Sequence, residues 1–234
     1  KAYTLASGYE GTQIKAVEGE SFSLYGSYWL RDENGNFAIS ENGTRIKSSD
    51  TKNLGKVSPD WTMGIGNTFS YKGLSLSFLL DGGVMYSGTV QQLRTSGLAE
   101  ETLGNDRAEI IDKGFVYKDG QNTGEKNTKA ITPYQFWNTN YDKSITEANV
   151  FDATFIKLRE IVLAYQMPKK WFEHCFIGSL SVGFEARNLW LIKSNVPHID
   201  PEASIFGPSS VGSGIEYAGI PSTRSYGFNI KLTF

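Results

Sequence analysis

From Ser225 to Phe234 the chain alternates without a fault: Tyr226, Phe228, Ile230, Leu232 and Phe234 fall on one side, and Ser225, Gly227, Asn229, Lys231 and Thr233 on the other. Period two marks a strand with one apolar and one polar face. The pattern recurs upstream. Trp61, Met63, Ile65, Phe69 and Tyr71 share a face, with Asn67 the exception, and Leu74, Leu76, Phe78 and Leu80 continue it after a Lys72-Gly73 turn. Ile161, Leu163, Tyr165 and Met167 oppose Glu160, Ala164 and Gln166; Leu180, Val182, Phe184 and Ala186 oppose Ser181, Gly183, Glu185 and Arg187. Five strands are read in this way, over 61–71, 74–84, 154–167, 179–191 and 223–234. The wet side of a soluble sheet usually carries Lys, Glu and Arg. Here the side opposite the large apolar residues is mostly small and polar. A transmembrane barrel inverts the usual assignment, with the apolar face on lipid and the polar face on the lumen.

A lipid-exposed sheet must close, because hydrocarbon satisfies no open edge. The smallest barrels need about eight strands, so five must find the rest upstream or on another chain. The start at Lys1, with neither Met nor signal peptide, agrees with a piece of something longer. The connections alternate between short (72–73, 168–176) and long (85–153, 192–221), as the two rims of a barrel require. The expected organisation is an extracellular loop region with a short hairpin over 1–60, then barrel strands with the two long loops over 61–234. The fold class is thus all-β, an antiparallel transmembrane barrel segment. On this reading Asp81, Glu185, Arg187 and Lys231 face the lumen. Trp61, Tyr71, Trp171, Phe172 and Trp190, near strand ends, form membrane-interface girdles. Tyr226, Phe228, Ile230, Leu232 and Phe234 form the terminal signal that outer-membrane insertion machinery reads.

Composition narrows the function. Net charge is −2, which gives a nucleic-acid partner no electrostatic support. The single Cys175 allows no internal disulfide and supplies no metal framework. No apolar run is long enough for a membrane helix, which leaves a barrel untouched. Ahead of the strands, Lys1–Gly19 reads as irregular, Ser21–Leu30 and Phe37–Ile46 as a hairpin across the Asp32–Asn36 turn, and Lys47–Ser58 as a polar stretch. Val90–Leu103 reads as a short broken helix. Asp32, Glu33, Asn34 and Asn36 hold enough oxygen for a cation, but a hairpin turn explains them. His174 and His198 lie in connections at opposite rims, so no joint metal or catalytic site is expected, and no cofactor. The Ser209–Ser213 stretch lacks a nucleophile elbow or a positioned base. The loop aromatics Tyr134, Phe136, Trp137 and Tyr141, with Asp200 and Glu202, are the candidate substrate or partner contacts. Packing of the loop on itself is the alternative for the aromatics.

An ordered set of segments resembles the carboxy-terminal part of the SusC/RagA-like TonB-dependent outer-membrane transporters. It comprises Leu54-Gly55 with Pro59-Asp60-Trp61, then Asn67–Leu76, Phe115–Gly120 with Asn122-Thr123, Phe155–Ile161, Ala186–Trp190, Asp200-Pro201-Glu202, and Pro221–Phe234. The order and approximate spacing fit from about residue 14 onward. The resemblance implies a plugged barrel of about 22 strands, importing glycans or peptides, without enzymatic activity. It also implies a SusD-like surface lipoprotein lid, the upstream barrel and plug, the TonB complex and the barrel-assembly machinery as partners. The location it implies is the outer membrane of a Gram-negative bacterium. Such transporters often carry an Asp-rich loop before the Leu-Gly…Pro…Trp stretch; the DENGNFAISENG sequence here lacks the acidic spacing of a calcium loop. The rival reading is a secreted all-β glycan-binding or adhesion module whose binding surface is the same two loops. A barrel enzyme finds no Ser/His/Asp arrangement in the sequence.

Overall fold

A computed structural model describes residues 1–8, 11–69, 74–103, 107–142, 145–174, 176–206 and 212–234, with backbone alone over 74–79. Residues 1–58 carry β1 (Ala2–Ser7), β2 (Gln13–Val17), β3 (Ser23–Trp29), β4 (Phe37–Ile39) and β5 (Lys47–Lys56). β6 (Met63–Phe69) and β7 (Leu74–Asp81) follow. Next come β8 (Val84–Ser87), α1 (Gly88–Thr95), α2 (Glu100–Leu103), β9 (Ile110–Ile111), β10 (Gly114–Lys118) and β11 (Gln121–Lys126). β12 (Ala130–Ile131), α3 (Pro133–Asn140) and β13 (Val150–Asp152) precede the two longest strands, β14 (Phe155–Gln166) and β15 (Ser179–Ser194). β16 (Ile215–Glu216) and β17 (Ser225–Thr233) complete the chain order. The chain divides into two compact units: 1–58, 83–152 and 196–220 in one, 59–82, 153–195 and 221–234 in the other.

The second unit is one antiparallel meander in the order β6-β7-β14-β15-β17. Its register joins the separate alternations into a single surface. One row runs Phe69–Leu74–Leu163–Phe184–Phe228, and the next Ile161–Ala186–Tyr226 with Leu76 and Asn67. A third runs Ile65–Phe78–Leu158–Trp190. Because side chains alternate strictly along a strand, a slip of one residue at any pairing would break these rows. The opposite face reads Gly66–Ser77–Glu160–Arg187–Ser225 and Thr68–Ser75–Val162–Glu185–Gly227.

One irregularity holds this register in place. Between Leu158 and Glu160 the β14–β15 pairing shifts, since Leu158 meets Trp190 while Glu160 meets Arg187. The extra residue count falls at Asn188, whose φ of 52° lies in the left-handed region. Asn tolerates that region better than most residues. Its side chain accepts from Arg159 NH1 at 3.0 Å and donates to the Thr223 carbonyl at 3.1 Å. The bulge therefore ties β14 to the segment entering β17.

The first unit is built from small sheets. β1-β2-β3-β5 make a four-stranded antiparallel sheet, and β11-β10-β4, β12-β9 and β13-β8-β16 are smaller. Ile14, Leu24, Val57, Tyr86 and Ile215 form one core cluster; Trp29, Ile145 and Ala148 form another. Three sequence expectations are corrected here. The stretch Lys1–Gly19 is not irregular but supplies β1 and β2, and the polar Lys47–Ser58 stretch supplies β5. The arms around Asp32–Asn36 do not form the main hairpin: β3 pairs with β2 and β5, and β4 runs parallel to β10. The tight turn itself exists, closed by the Arg31–Phe37 bridge. The broken helix expected over Val90–Leu103 is α1 followed by α2.

Candidate functional site

Two surfaces carry chemistry. The first is the apolar face of the meander. Phe228 is 83% exposed, Ile230 69% and Trp190 60%, and Tyr226, Leu232 and Phe234 are exposed with them. Scattered exposed apolar side chains need no explanation, but an ordered exposed face across β6, β14, β15 and β17 does. On the other face Asp81, Glu185, Arg187 and Lys231 share one side, since Asp81 pairs in register with Phe155 and Lys231 with Ser181. Arg187 Nε meets Glu160 Oε1 at 3.0 Å and its NH2 lies 3.7 Å from Glu185 Oε2. Glycines make room for this polar layer: a Cβ on Gly183 would stand 2.4 Å from Asn229 Oδ1, and one on Gly227 2.9 Å from the Glu185 side chain. Small residues on this face thus accommodate longer polar neighbours across the strand. Lys157, also on this face, is buried and bonds to the Ser222 hydroxyl.

Aromatic residues sit at both ends of the sheet. Trp61 precedes β6 and Trp190 lies near the matching end of β15, both exposed. Trp171 and Phe172 occupy the turn between β14 and β15, where Phe176 stacks on Phe234 at 5.7 Å. Tyr71 lies outside the described residues, as do Cys175 and most of the Ser209–Ser213 stretch.

The second surface is an arginine–aromatic cluster in the first unit. Phe136, Trp137 and Tyr141, brought together by α3 and its C-terminal end, contact one another with ring centroids 4.6–5.7 Å apart. Helix α3 begins with a capping box between Thr132 and Gln135 and has Pro133 in its first turn, which fixes its start. Arg45 lies over Phe37 (3.9 Å), Trp29 (4.5 Å) and Phe136 (5.7 Å) and holds Asp112 with two bonds of 2.6 and 3.1 Å. Asn140, fully buried, accepts from the Arg45 amide and donates to Asp112. Arg94 sits near Trp137, Tyr141 and Phe151 and grips Glu101, whose other oxygen meets His198 Nε2 at 2.7 Å. Burial pushes the Glu101 carboxyl up, but hydrogen bonds from Arg94, its own amide and His198 outweigh this and hold it at about 2.

Glu147 shows the same balance. Burial raises it, while bonds from Arg31, Lys52 and the Trp29 amide bring it below the usual carboxylate range. Asp32, the cation candidate, spends its carboxylate on its own turn: the Asn36 side chain and the Asn34 and Asn36 amides bond to it. Those bonds, the Asn36 side chain first, keep it below its ordinary range. Among the described residues no group of three His, Cys, Asp or Glu is placed to hold a metal.

The six loop candidates thus separate. Phe136, Trp137 and Tyr141 pack mainly on their neighbours. Tyr134, one turn away on α3, is 71% exposed. Asp200 accepts from the Glu202 amide and so shapes its own turn. The residues that organise the region, Arg45, Arg94, Asp112, Asn140 and Glu147, carried no local signal in the sequence. Their partners lie 28 to 118 positions away in most pairings, and such pairings are visible only after folding.

No protein-family model matches the chain. Two curated proteins of Formosa agariphila do: TonB-dependent receptor P3, 23% identical over 205 residues, and TonB-dependent receptor P26, 26% identical over 223 residues. These matches cover 85% and 90% of this chain but 19% and 20% of the relatives. Among solved structures, the RagAB peptide transporter aligns over 100% of this chain and 24% of its own, with TM-score 0.57 and 18% identity. The RagAB peptide importer in its closed-closed state gives a TM-score of 0.54 at the same identity. The chain therefore spans about a fifth to a quarter of the length of the proteins it matches. Its fold is that of TonB-dependent transporter barrels, present as an unclosed segment. The resemblance to SusC/RagA-like transporters is supported by both sequence and fold.

Proposed function

We infer that the chain is the carboxy-terminal barrel segment of a SusC/RagA-like TonB-dependent transporter in the outer membrane of a Gram-negative bacterium. The observation that carries this reading is the in-register apolar face of β6-β7-β14-β15-β17. An apolar face of that width, uncovered and facing water, would invite aggregation; facing lipid, it is at home. The dimensions agree. The nine residues of β17 rise about 3.3 Å each, and at a tilt of about 40° they cover about 23 Å, close to the apolar band of about 25 Å in such barrels. The aromatics near both ends then fall at the two interfaces, and Asp81, Glu185, Arg187 and Lys231 line the lumen.

On this reading the whole transporter imports oligomeric nutrients, glycans or peptides, too large for porins. A SusD-like surface lipoprotein covers the mouth. TonB supplies the energy through a plug encoded elsewhere in the protein. The connections 85–153 and 192–221 contribute to the extracellular mouth, and the chain carries no catalytic step. The structures that share this fold are named as those of a peptide transporter, RagAB, which supports peptide as one of the two substrate classes.

Nitroxide labels test which face meets lipid. Labels at Leu163, Phe184 and Ile230 of the full transporter in bilayers should be relaxed by a lipid-phase quencher, and labels at Glu185 and Lys231 by an aqueous one. Labels on the apolar face shielded from both quenchers would overturn the reading in favour of a soluble packed module.

A further inference from the structure

The apolar rows of the meander end, at one end of the sheet, beside the connection 167–178 between β14 and β15. Phe234 continues the side of β17 that carries Phe228, Ile230 and Leu232, and Phe176 from this connection stacks on it with the rings 8° from parallel. Phe176 and Phe234 are 80% and 78% exposed, and Trp171 in the same connection is 60% exposed. The stack is anchored on its flank: the Gly178 amide donates to the Thr233 carbonyl at 2.7 Å, and the Ser179 and Thr233 hydroxyls meet at 3.0 Å. Aromatic rings at the end of a lipid-facing sheet lie at headgroup level, between hydrocarbon and water. Lys169 and Lys170 precede Trp171, both exposed and without a carboxylate partner among the described residues. Glu173 is the one acid in 167–178, and among the described contacts it bonds to neither lysine. Lysine stems lie along apolar surface while their ammonium groups reach out of it. An ammonium held at this depth meets the lipid phosphates.

We propose that Lys169 and Lys170 bind the headgroup phosphate of an anionic phospholipid, with Trp171 and the Phe176–Phe234 stack holding this rim at the depth of that phosphate. The short connections of such barrels lie on the periplasmic rim, so the lipid belongs to the periplasmic leaflet. A lysine near an anionic membrane surface is worth about a fivefold gain in binding. Two adjacent lysines thus select an anionic lipid over a zwitterionic one, whose own headgroup cation competes for the phosphate. The inference rests on the lipid-facing assignment of the apolar face and adds a lipid preference to it.

The test asks which lipid touches this rim of the full-length transporter in bilayers. Its native cysteines are replaced by serine, and a bimane label is attached at Leu180→Cys, opposite Leu232 on the apolar face. The bilayers mix phosphatidylglycerol with phosphatidylcholine, and one or the other carries brominated, fluorescence-quenching chains. Brominated phosphatidylglycerol should quench beyond its share of the bilayer, with a local preference of about fivefold or more over phosphatidylcholine. The paired change Lys169→Gln with Lys170→Gln should abolish the preference, and brominated phosphatidylcholine should still quench. Equal quenching by the two brominated lipids with both lysines present, or a preference that survives the paired change, would overturn the proposal and leave the lipid-facing assignment intact. No quenching by either lipid would remove that assignment, and the proposal with it.

Discussion

Arg45 shows how much of the first unit hangs on single residues. Its side chain is about one-tenth exposed, and the guanidinium is bonded twice to Asp112 and flanked by three aromatic rings. Removing one partner of a buried pair leaves the other charge unpaired, at a cost of about 3–5 kcal/mol. Arg45→Ala should therefore destabilise the unit by about that amount, read as faster hydrogen exchange in α3 and in the β9–β12 pair. The double change Arg45→Met with Asp112→Leu removes both charges and should recover most of the loss. Equal protection in Arg45→Ala and wild type would show that the pair contributes nothing. Glu101 makes a pH-dependent counterpart. Its folded-state value of about 2 lies below the ordinary 4.5, so its contribution is complete above about pH 4.5 and is lost as pH falls toward 2. The difference in exchange protection at Leu98 and Ala99 between wild type and Glu101→Gln should be largest above pH 4.5 and close on acidification. A difference that stays constant across that range would mean that the Arg94–Glu101–His198 contacts do not stabilise this segment. Neither cluster could be read from the sequence, because Arg45 and Asp112, or Glu101 and His198, stand far apart in the chain and nothing in their immediate neighbours marks them.

At the scale of elements, legibility followed the side chains. All five strands of the meander were readable because each alternates apolar and polar residues, and the observed limits fall within a few positions of the expected ones. β15 runs three residues further than expected, to Ser194, because the bulges near Asn188 and Ile192 disturb the alternation without ending the pairing. β5, by contrast, was invisible. Its sequence, Lys-Ser-Ser-Asp-Thr-Lys-Asn-Leu-Gly-Lys, has no apolar face, and backbone pairing with β3 makes it a strand. Where side chains bury nothing, hydropathy carries no record of the fold. The same logic gives β17 a directional prediction. Phe228 lies beside Phe184 on the apolar face, with centroids 5.2 Å apart, while Asn229 leans over Gly183 on the polar face. A lysine on a lipid-facing position costs about 2–4 kcal/mol at the bilayer midplane. Phe228→Lys should sharply reduce the folded, membrane-inserted fraction, and Asn229→Lys, which has the space above Gly183, should be tolerated. The readout is surface protease resistance in whole cells; equal levels of the two variants would contradict a lipid-facing Phe228.

For the whole molecule the decisive fact is that the meander has two ends. Among the described residues β6 pairs only with β7, and β17 only with β15, so each presents a row of backbone groups unpaired within the described sheet. In water those edges could be solvated; in hydrocarbon each unsatisfied group costs several kcal/mol, and closure is obligatory. The sheet therefore cannot be both membrane-embedded and complete as it stands. Membrane embedding requires further strands on both edges, which fits a chain that spans about a fifth to a quarter of its relatives. A soluble module would instead have to cover its apolar face with its own residues, and Phe228 at 83% exposure is not covered. The two possibilities separate by size. Extracted in detergent and run without heating, the native polypeptide should migrate as a folded species several times larger than 25.9 kDa. Heating should shift its mobility, as unfolding of a closed barrel demands, and a lipoprotein should co-purify with it. A monodisperse water-soluble species of 25.9 kDa would mean that these five strands close a core unaided, and the lipid-facing assignment would fall with it.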